Sequence, residues 1–191
     1  MTKRSKATGW ACLALGVFVI LVAAAAPRRG SAQAAAVPSV LAGTWTYDGT
    51  PARAMNIMMA AFEPGIRTFP ELFQGFARDR VRTSNQPPSR ILMGLEGPRV
   101  RVTLHTDRTI VLEGPLGGAA TTRVGVEGDA RVTFGLTGGW LEVRWDGEGD
   151  LIQVFSTEPD GSRMHVDFTV IADRLPAPVR YRLDYVRQPA G

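Results

Sequence analysis

Two histidines, each followed two residues later by an aspartate, are the groups best suited to chemistry in this 191-residue chain: His105-Thr106-Asp107 and His165-Val166-Asp167. On a strand, positions i and i+2 share a face, so imidazole and carboxylate could exchange a proton or ligate a metal together. Such work needs an orienting partner within hydrogen-bond reach. Turn chemistry puts Asp107 in a turn instead, and residue alternation puts both histidines on wet strand faces. Asp146-Gly147-Glu148-Gly149-Asp150 carries acids at alternate positions, as a calcium loop does. Leu151 stands where that loop needs glycine and Thr157 where it needs glutamate, so the segment reads as a hairpin. No Gly-x-Ser-x-Gly, His-Glu-x-x-His or phosphate loop occurs, and Gly114-Pro115-Leu116-Gly117-Gly118 precedes no helix. No catalytic constellation assembles. The reading leans away from an enzyme and expects no catalytic residue, metal ligand or cofactor.

The ends of the chain differ in kind. Met1 to Lys6 is short and basic, Ala7 to Ala26 is uncharged, and Ala32-Gln33-Ala34 fits the small-x-small pattern of a signal cleavage site. Residues 1–34 therefore read as a secretory signal, which implies a periplasmic or extracellular destination. The rival is an uncleaved anchor in the inner membrane, since an apolar run of 20 residues is long enough to span a bilayer. Arg28-Arg29 comes after the apolar run, which rules out a twin-arginine signal. Cys12, preceded by Gly9-Trp10-Ala11, does not look like a lipoprotein acceptor.

Beyond residue 34 the chain contains no cysteine and no lysine. Disulfides, thiol nucleophiles, cysteine-ligated metals and Schiff bases are excluded there. The 22 basic and 18 acidic residues of the whole chain give +4, but five basic residues and no acid lie within 1–34. The remainder is nearly neutral and lacks the footprint of a nucleic-acid binder. The N-terminal segment is the one route to a membrane, if uncleaved. The wealth of arginine fits a coding bias that favours Arg, Ala, Gly and Pro together.

The elements must be built to suit. After a lead-in at 35–42, Gly43-Thr44-Trp45-Thr46-Tyr47 reads as a strand with Trp45 and Tyr47 on one face. Thr50-Pro51 signals a helix start, with a hydroxyl cap and proline at the first position. Met55, Met58, Met59 and Phe62 recur at helical spacing until Pro64-Gly65. A second helix is expected from Thr68, with Glu71 completing a capping box and Phe69, Leu72, Phe73 and Phe76 as its apolar stripe. The helix pair spans about 51–82. From Arg90 the period becomes two, as in Val100-Arg101-Val102-Thr103-Leu104 and Met164-His165-Val166-Asp167-Phe168.

Turns are expected near Gly97, Asp107, Leu116, Gly128, Gly138, Gly147, Gly161 and Leu175-Pro176. With the Trp45 strand they define ten strands. Short turns make sequential neighbours antiparallel, so the fold class is mainly β: an up-and-down meander closing into a barrel over 43–188. Two packed sheets are the alternative architecture. Arg180, Arg182 and Asp184 share one face of the last strand, with Arg163 and Asp167 on the strand before. They read as wet-face ion pairs, because the opposite reading would expose Val179, Tyr181 and Leu183.

Gly43-Thr44-Trp45 on the first strand, a helix pair, and then a long meander together resemble the calycin plan. The Gly-x-Trp is similar to that of lipocalins, and the helix pair to that of intracellular fatty-acid-binding proteins. The resemblance implies a barrel that encloses a small apolar ligand. The fatty-acid-binding family holds a carboxylate with an Arg-x-Tyr on its last strand. Here Arg180 is followed by Arg182 and then Asp184, and Tyr185-Val186-Arg187 reverses the order, so that site does not carry over. Leu175-Pro176-Ala177-Pro178-Val179 with Tyr181 and Tyr185 also resembles exported bacterial proteins of uncharacterised activity.

The expected function is a binding module for an apolar small molecule or lipid. The alternative is a structural or interaction protein of the cell envelope, with a filled barrel and no ligand. Candidate lining residues are Trp45, Met55, Met58, Phe62, Phe73, Phe134, Trp145, Phe168, Tyr181 and Tyr185. Small residues at expected inward positions (Gly94, Gly125, Ala130) favour some interior space.

Overall fold

Strand β1, Gly43–Tyr47, runs antiparallel to both β2 (Arg90–Glu96) and the last strand, β10 (Val179–Arg187). The structure, a computed structural model, describes residues 39–123, 129–137, 139–146 and 149–189. The expected signal at 1–34 and lead-in residues 35–38 lie outside the described residues, as do parts of the turns near Gly128, Gly138 and Gly147. Between β2 and β10 come β3 (Arg99–His105), β4 (Thr109–Pro115), β5 (Ala119–Arg123), β6 (Asp129–Thr137), β7 (Trp140–Asp146), β8 (Asp150–Thr157) and β9 (Arg163–Ile171). All pairings are antiparallel, in the order β4-β3-β2-β1-β10-β9-β8-β7-β6-β5. The protein is mainly β, a meander of ten antiparallel strands forming a nearly closed barrel, with two helices between β1 and β2.

One seam interrupts the closure. β4 and β5 are consecutive yet share no ladder, although their ends approach each other. Pro115 has no N–H to donate at the end of β4. The Phe134 ring reaches the seam: a methyl group on Gly114 would come within 2.8 Å of Phe134 Cε2 and of the Ala120 methyl. Backbone bonds from Gly117 N to Phe134 O (2.7 Å) and from Phe134 N to Gly118 O (3.1 Å) carry the chain across the gap.

Alternation sorts the side chains as the pleat demands. Trp45, Ile91, Val102, Leu112, Phe134, Val143, Phe155, Val166 and Leu183 are buried in one cluster inside the barrel. The outward rows carry charge: Arg101 donates to Glu113 at 2.6 Å and Arg182 to Asp167 at 2.7 Å. Val179, Leu183 and Tyr185 point inward and Arg180 and Arg182 outward, so the last strand has the expected facing. Gly94 departs from expectation: it lies on the outer face opposite Arg101, because Ile91 and Met93 set the inward parity of β2. Gly125 and the side chain of Ala130 fall outside the described residues.

Helix α1, Pro51–Ile66, starts as expected: Thr50 Oγ accepts from Arg53 N at 3.2 Å. It runs one residue past Gly65 and keeps Pro64 in its last turn, because Ile66 is buried there. Met58, Phe62 and Ile66 pack with Val179 of β10 into a second cluster, which Met55, Met59, Ala77 and Val81 flank. Helix α2, Glu71–Ser84, corrects two expectations. It starts three residues later than Thr68 and has no side-chain cap, because Thr68 Oγ donates instead to Gly65 O at 2.7 Å. Its apolar stripe does not face the barrel: Leu72, Phe73 and Phe76 are 86%, 55% and 73% exposed. The helix is held instead by Ala77, Val81 and the Arg78–Glu63 ion pair at 2.7 Å.

The opposite end of the barrel is plugged. A 3-10 turn at Ser39–Leu41 lies against it, and Leu41 O accepts from Trp45 Nε1 at 3.0 Å. The Arg187 guanidinium stacks 4.3 Å above the Trp45 ring and donates to the carbonyls of Val40, Ala42 and Gly161. Gly43 admits it, since a methyl there would sit 2.9 Å from the Arg187 guanidinium. That is the physical content of the Gly-x-Trp. Among the described residues no helix is long and apolar enough to cross a membrane.

Candidate functional site

Strand register builds the site. Gln153 of β8 lies directly opposite Phe168 of β9, and Phe168 directly opposite Tyr181 of β10. Phe168 and Tyr181 stack with centroids 4.7 Å apart and planes 5° from parallel. Trp145 of β7 faces Leu151, one inward position along from Gln153. These residues, with Leu104 and Ile110, floor a cavity of about 310 Å³ at the helix-bearing end of the barrel. Its rim comes from Asn85, Gln86 and Pro88 after α2, from Thr106, Asp107 and Arg108 in the β3–β4 turn, and from Asp146 and Gly149. The volume lies at the lower end of small-molecule sites.

The polar lining of the cavity is concentrated at its rim, and Gln153 is the polar residue of its floor between the aromatic rings. Gln153 is the one polar side chain buried in the core among the described residues, at 2% exposure. Its Oε1 accepts from Trp145 Nε1 at 2.9 Å. Burial pushes the Tyr181 phenol well above its ordinary pKa, so it stays neutral at physiological pH. Arg108 sits at the rim, 3.6 Å from the Asp107 carboxylate.

Of the ten candidate lining residues, Trp145, Phe168 and Tyr181 reach the cavity. Phe134 is in the same cross-strand row, through Val143, but turns to the β4–β5 seam. Trp45 and Tyr185 are fully buried elsewhere in the core, and Tyr185 donates its hydroxyl to Pro88 O at 2.9 Å. Met55, Met58 and Phe62 belong to the cluster between helix and barrel, where their packing fills space. Phe73 is on the outer side of α2. Sequence reasoning missed Gln153, although a legible signal existed: it is a polar residue between Leu151 and Phe155 at an inward position.

The histidines stay apart. His105 is on β3 and His165 on β9, with β2, β1 and β10 between them. His165 Nδ1 lies 2.7 Å from Asp184 Oδ1 across the strands rather than next to Asp167, which binds Arg182. Among the described residues no three His, Cys, Asp or Glu come together in a way that could hold a metal.

An antiparallel meander plugged at one end, covered by a helix pair and hollowed beneath it defines a calycin-like barrel. No family model matches the chain, and no curated protein matches it in sequence. Solved structures do match. A structure titled REP1-NXSQ fatty acid transporter is 15% identical, covering 79% of this chain and 98% of its own, at a TM-score of 0.52. The apo form of lipid binding protein 8 from Caenorhabditis elegans is 11% identical over 81% of this chain and 99% of its own, with TM-score 0.52. A secretary abundant heat soluble protein from Ramazzottius varieornatus is 10% identical over 78% and 96%, with TM-score 0.53. At these identities the likeness is one of fold.

Proposed function

We propose that this chain is exported and binds an apolar small molecule or lipid in the cavity under its helices. The observation that carries the reading is the cavity of about 310 Å³ floored by Trp145, Leu151, Phe168 and Tyr181. A filled barrel with a purely external role would leave no reason for such a hollow, since protein interiors otherwise pack densely. Two of the similar solved structures are titled as a fatty acid transporter and a lipid binding protein, which supports the reading. Export rests on the basic, apolar and small-residue order of residues 1–34. It directs the processed protein to the periplasm or beyond.

The test is extraction. Protein purified from its native compartment and denatured in organic solvent should release an apolar compound visible by mass spectrometry. The emptied protein should then show Trp145 fluorescence quenching or shifting on titration with long-chain lipids. A clean extract together with no response to any lipid sinks the binding reading and leaves the envelope interaction protein. An amine-reactive label reports export on the same sample, because the only lysines are Lys3 and Lys6. Labelling confined to a new N-terminus marks cleavage, whereas labelled Lys3 or Lys6 in membrane-bound protein marks the anchored form.

A further inference from the structure

We infer that the ligand is an uncharged amphiphile whose hydrogen-bond acceptor, a carbonyl or hydroxyl oxygen, is read by the Gln153 amide, and that the cavity discriminates against free carboxylates. The inference rests on the binding reading above and adds the class of head group.

The Trp145 indole can only donate a hydrogen bond. Its contact with Gln153 at 2.9 Å therefore fixes which end of the amide is which: Oε1 faces the indole, and Nε2 points away. No hydrogen bond from Gln153 Nε2 exists among the described residues, yet no fully enclosed side-chain nitrogen or oxygen is left without a partner. Gln153 lines the cavity, so its free N–H groups face that space. An amide nitrogen has donors and no acceptor, so it selects an oxygen that accepts.

Charge decides against an acid. Arg108 is held at the rim beside Asp107, with Asp146 also on the rim. Arg187 is engaged at the opposite end of the barrel with Trp45 and three carbonyls. A carboxylate at the depth of Gln153 would lose its water and meet only neutral donors, which is costly. An ester, amide or alcohol loses far less and gains the same hydrogen bond.

Displacement of Nile red by three ligands of equal chain length tests this: methyl dodecanoate, ionised dodecanoate and dodecane. The ester is expected to bind about tenfold more tightly than the carboxylate and about fivefold more tightly than the hydrocarbon. The double variant Gln153→Leu with Trp145→Phe removes both hydrogen-bonding partners, so no unsatisfied group remains. It should bind ester and hydrocarbon within about twofold of each other. Dodecanoate binding as tightly as its ester, or an ester preference that survives the double variant, overturns the inference and leaves the binding reading intact. Failure of Nile red and all three ligands to bind overturns the binding reading itself. If the double variant does not fold, the comparison on the unaltered protein decides.

Discussion

Arg187 shows how one side chain can tie the stretch before the first strand to the end of the last. Its guanidinium reaches the carbonyls of Val40 and Ala42 just before β1, and that of Gly161 in the β8–β9 turn, while its face covers Trp45. A methyl group on Gly161 would strike Val40, and its φ of 68° suits glycine, so the turn is built around this contact. Arg187→Ala leaves three carbonyls short of a charged donor and bares the indole face. The expected loss is about 2 to 4 kcal/mol in urea unfolding. Arg187→Lys should recover little, because an ammonium lacks the planar fork that serves several acceptors at once. A full recovery by lysine would mean that charge alone, rather than the fork, holds the plug.

At the level of elements, the two helices obey different rules. α1 is held by burial of Met58, Phe62 and Ile66 against the barrel, and its cap, start and apolar spacing all agree. α2 buries no residue fully, and it leans on α1 through Arg78, whose guanidinium grips Glu63 through two hydrogen bonds of 2.7 and 3.1 Å. That grip, with Arg67 assisting, holds the Glu63 carboxyl down to about 2 from its ordinary 4.5. The folded pKa lies below the unfolded one, so the tie is fully present above about 4.5 and fades as pH falls towards about 2. Hydrogen exchange in α2 should therefore accelerate over that window relative to the barrel strands, beyond the intrinsic pH dependence. Glu63→Gln should show the loosened α2 at neutral pH with the acid-dependent step gone. An α2 whose relative protection is the same at neutral and low pH would remove Glu63 from the account.

For the molecule as a whole, a hollow under a lightly held cover means that occupancy and stability are linked. A ligand at about a hundred times its Kd should raise the unfolding free energy by about 2.7 kcal/mol. Thermal unfolding should then rise with ligand concentration in the unaltered protein and respond less in the Gln153→Leu, Trp145→Phe double variant. A melting temperature indifferent to saturating ligand would show that binding occurs elsewhere or not at all. Strand β1 is only five residues long, so the start of β10 is free of it and packs against α1 instead. That short strand lets α1 pack against the wall of the barrel.

Local rules made much of this legible. Period-two alternation from Arg90 onward placed the strands and, Gly94 of β2 excepted, their facing, because a pleated backbone with one dry side leaves a single acceptable register. Thr50-Pro51 marked the start of α1, because a cap acts over three residues. The start and face of the second helix are not legible locally, because the Thr68 hydroxyl can donate to Gly65 O as readily as cap a helix, and a stripe of Leu72, Phe73 and Phe76 does not disclose its exposure. The amino-acid order alone determined the ten-strand meander, the wet and dry faces and the absence of thiol and lysine chemistry after residue 34, since these depend on neighbours along the chain. The tertiary structure decided which aromatics meet the cavity, where Gln153 turns its donors, and that β4 and β5 stay unladdered. Those depend on registers and distances between strands far apart in sequence, which no local pattern encodes.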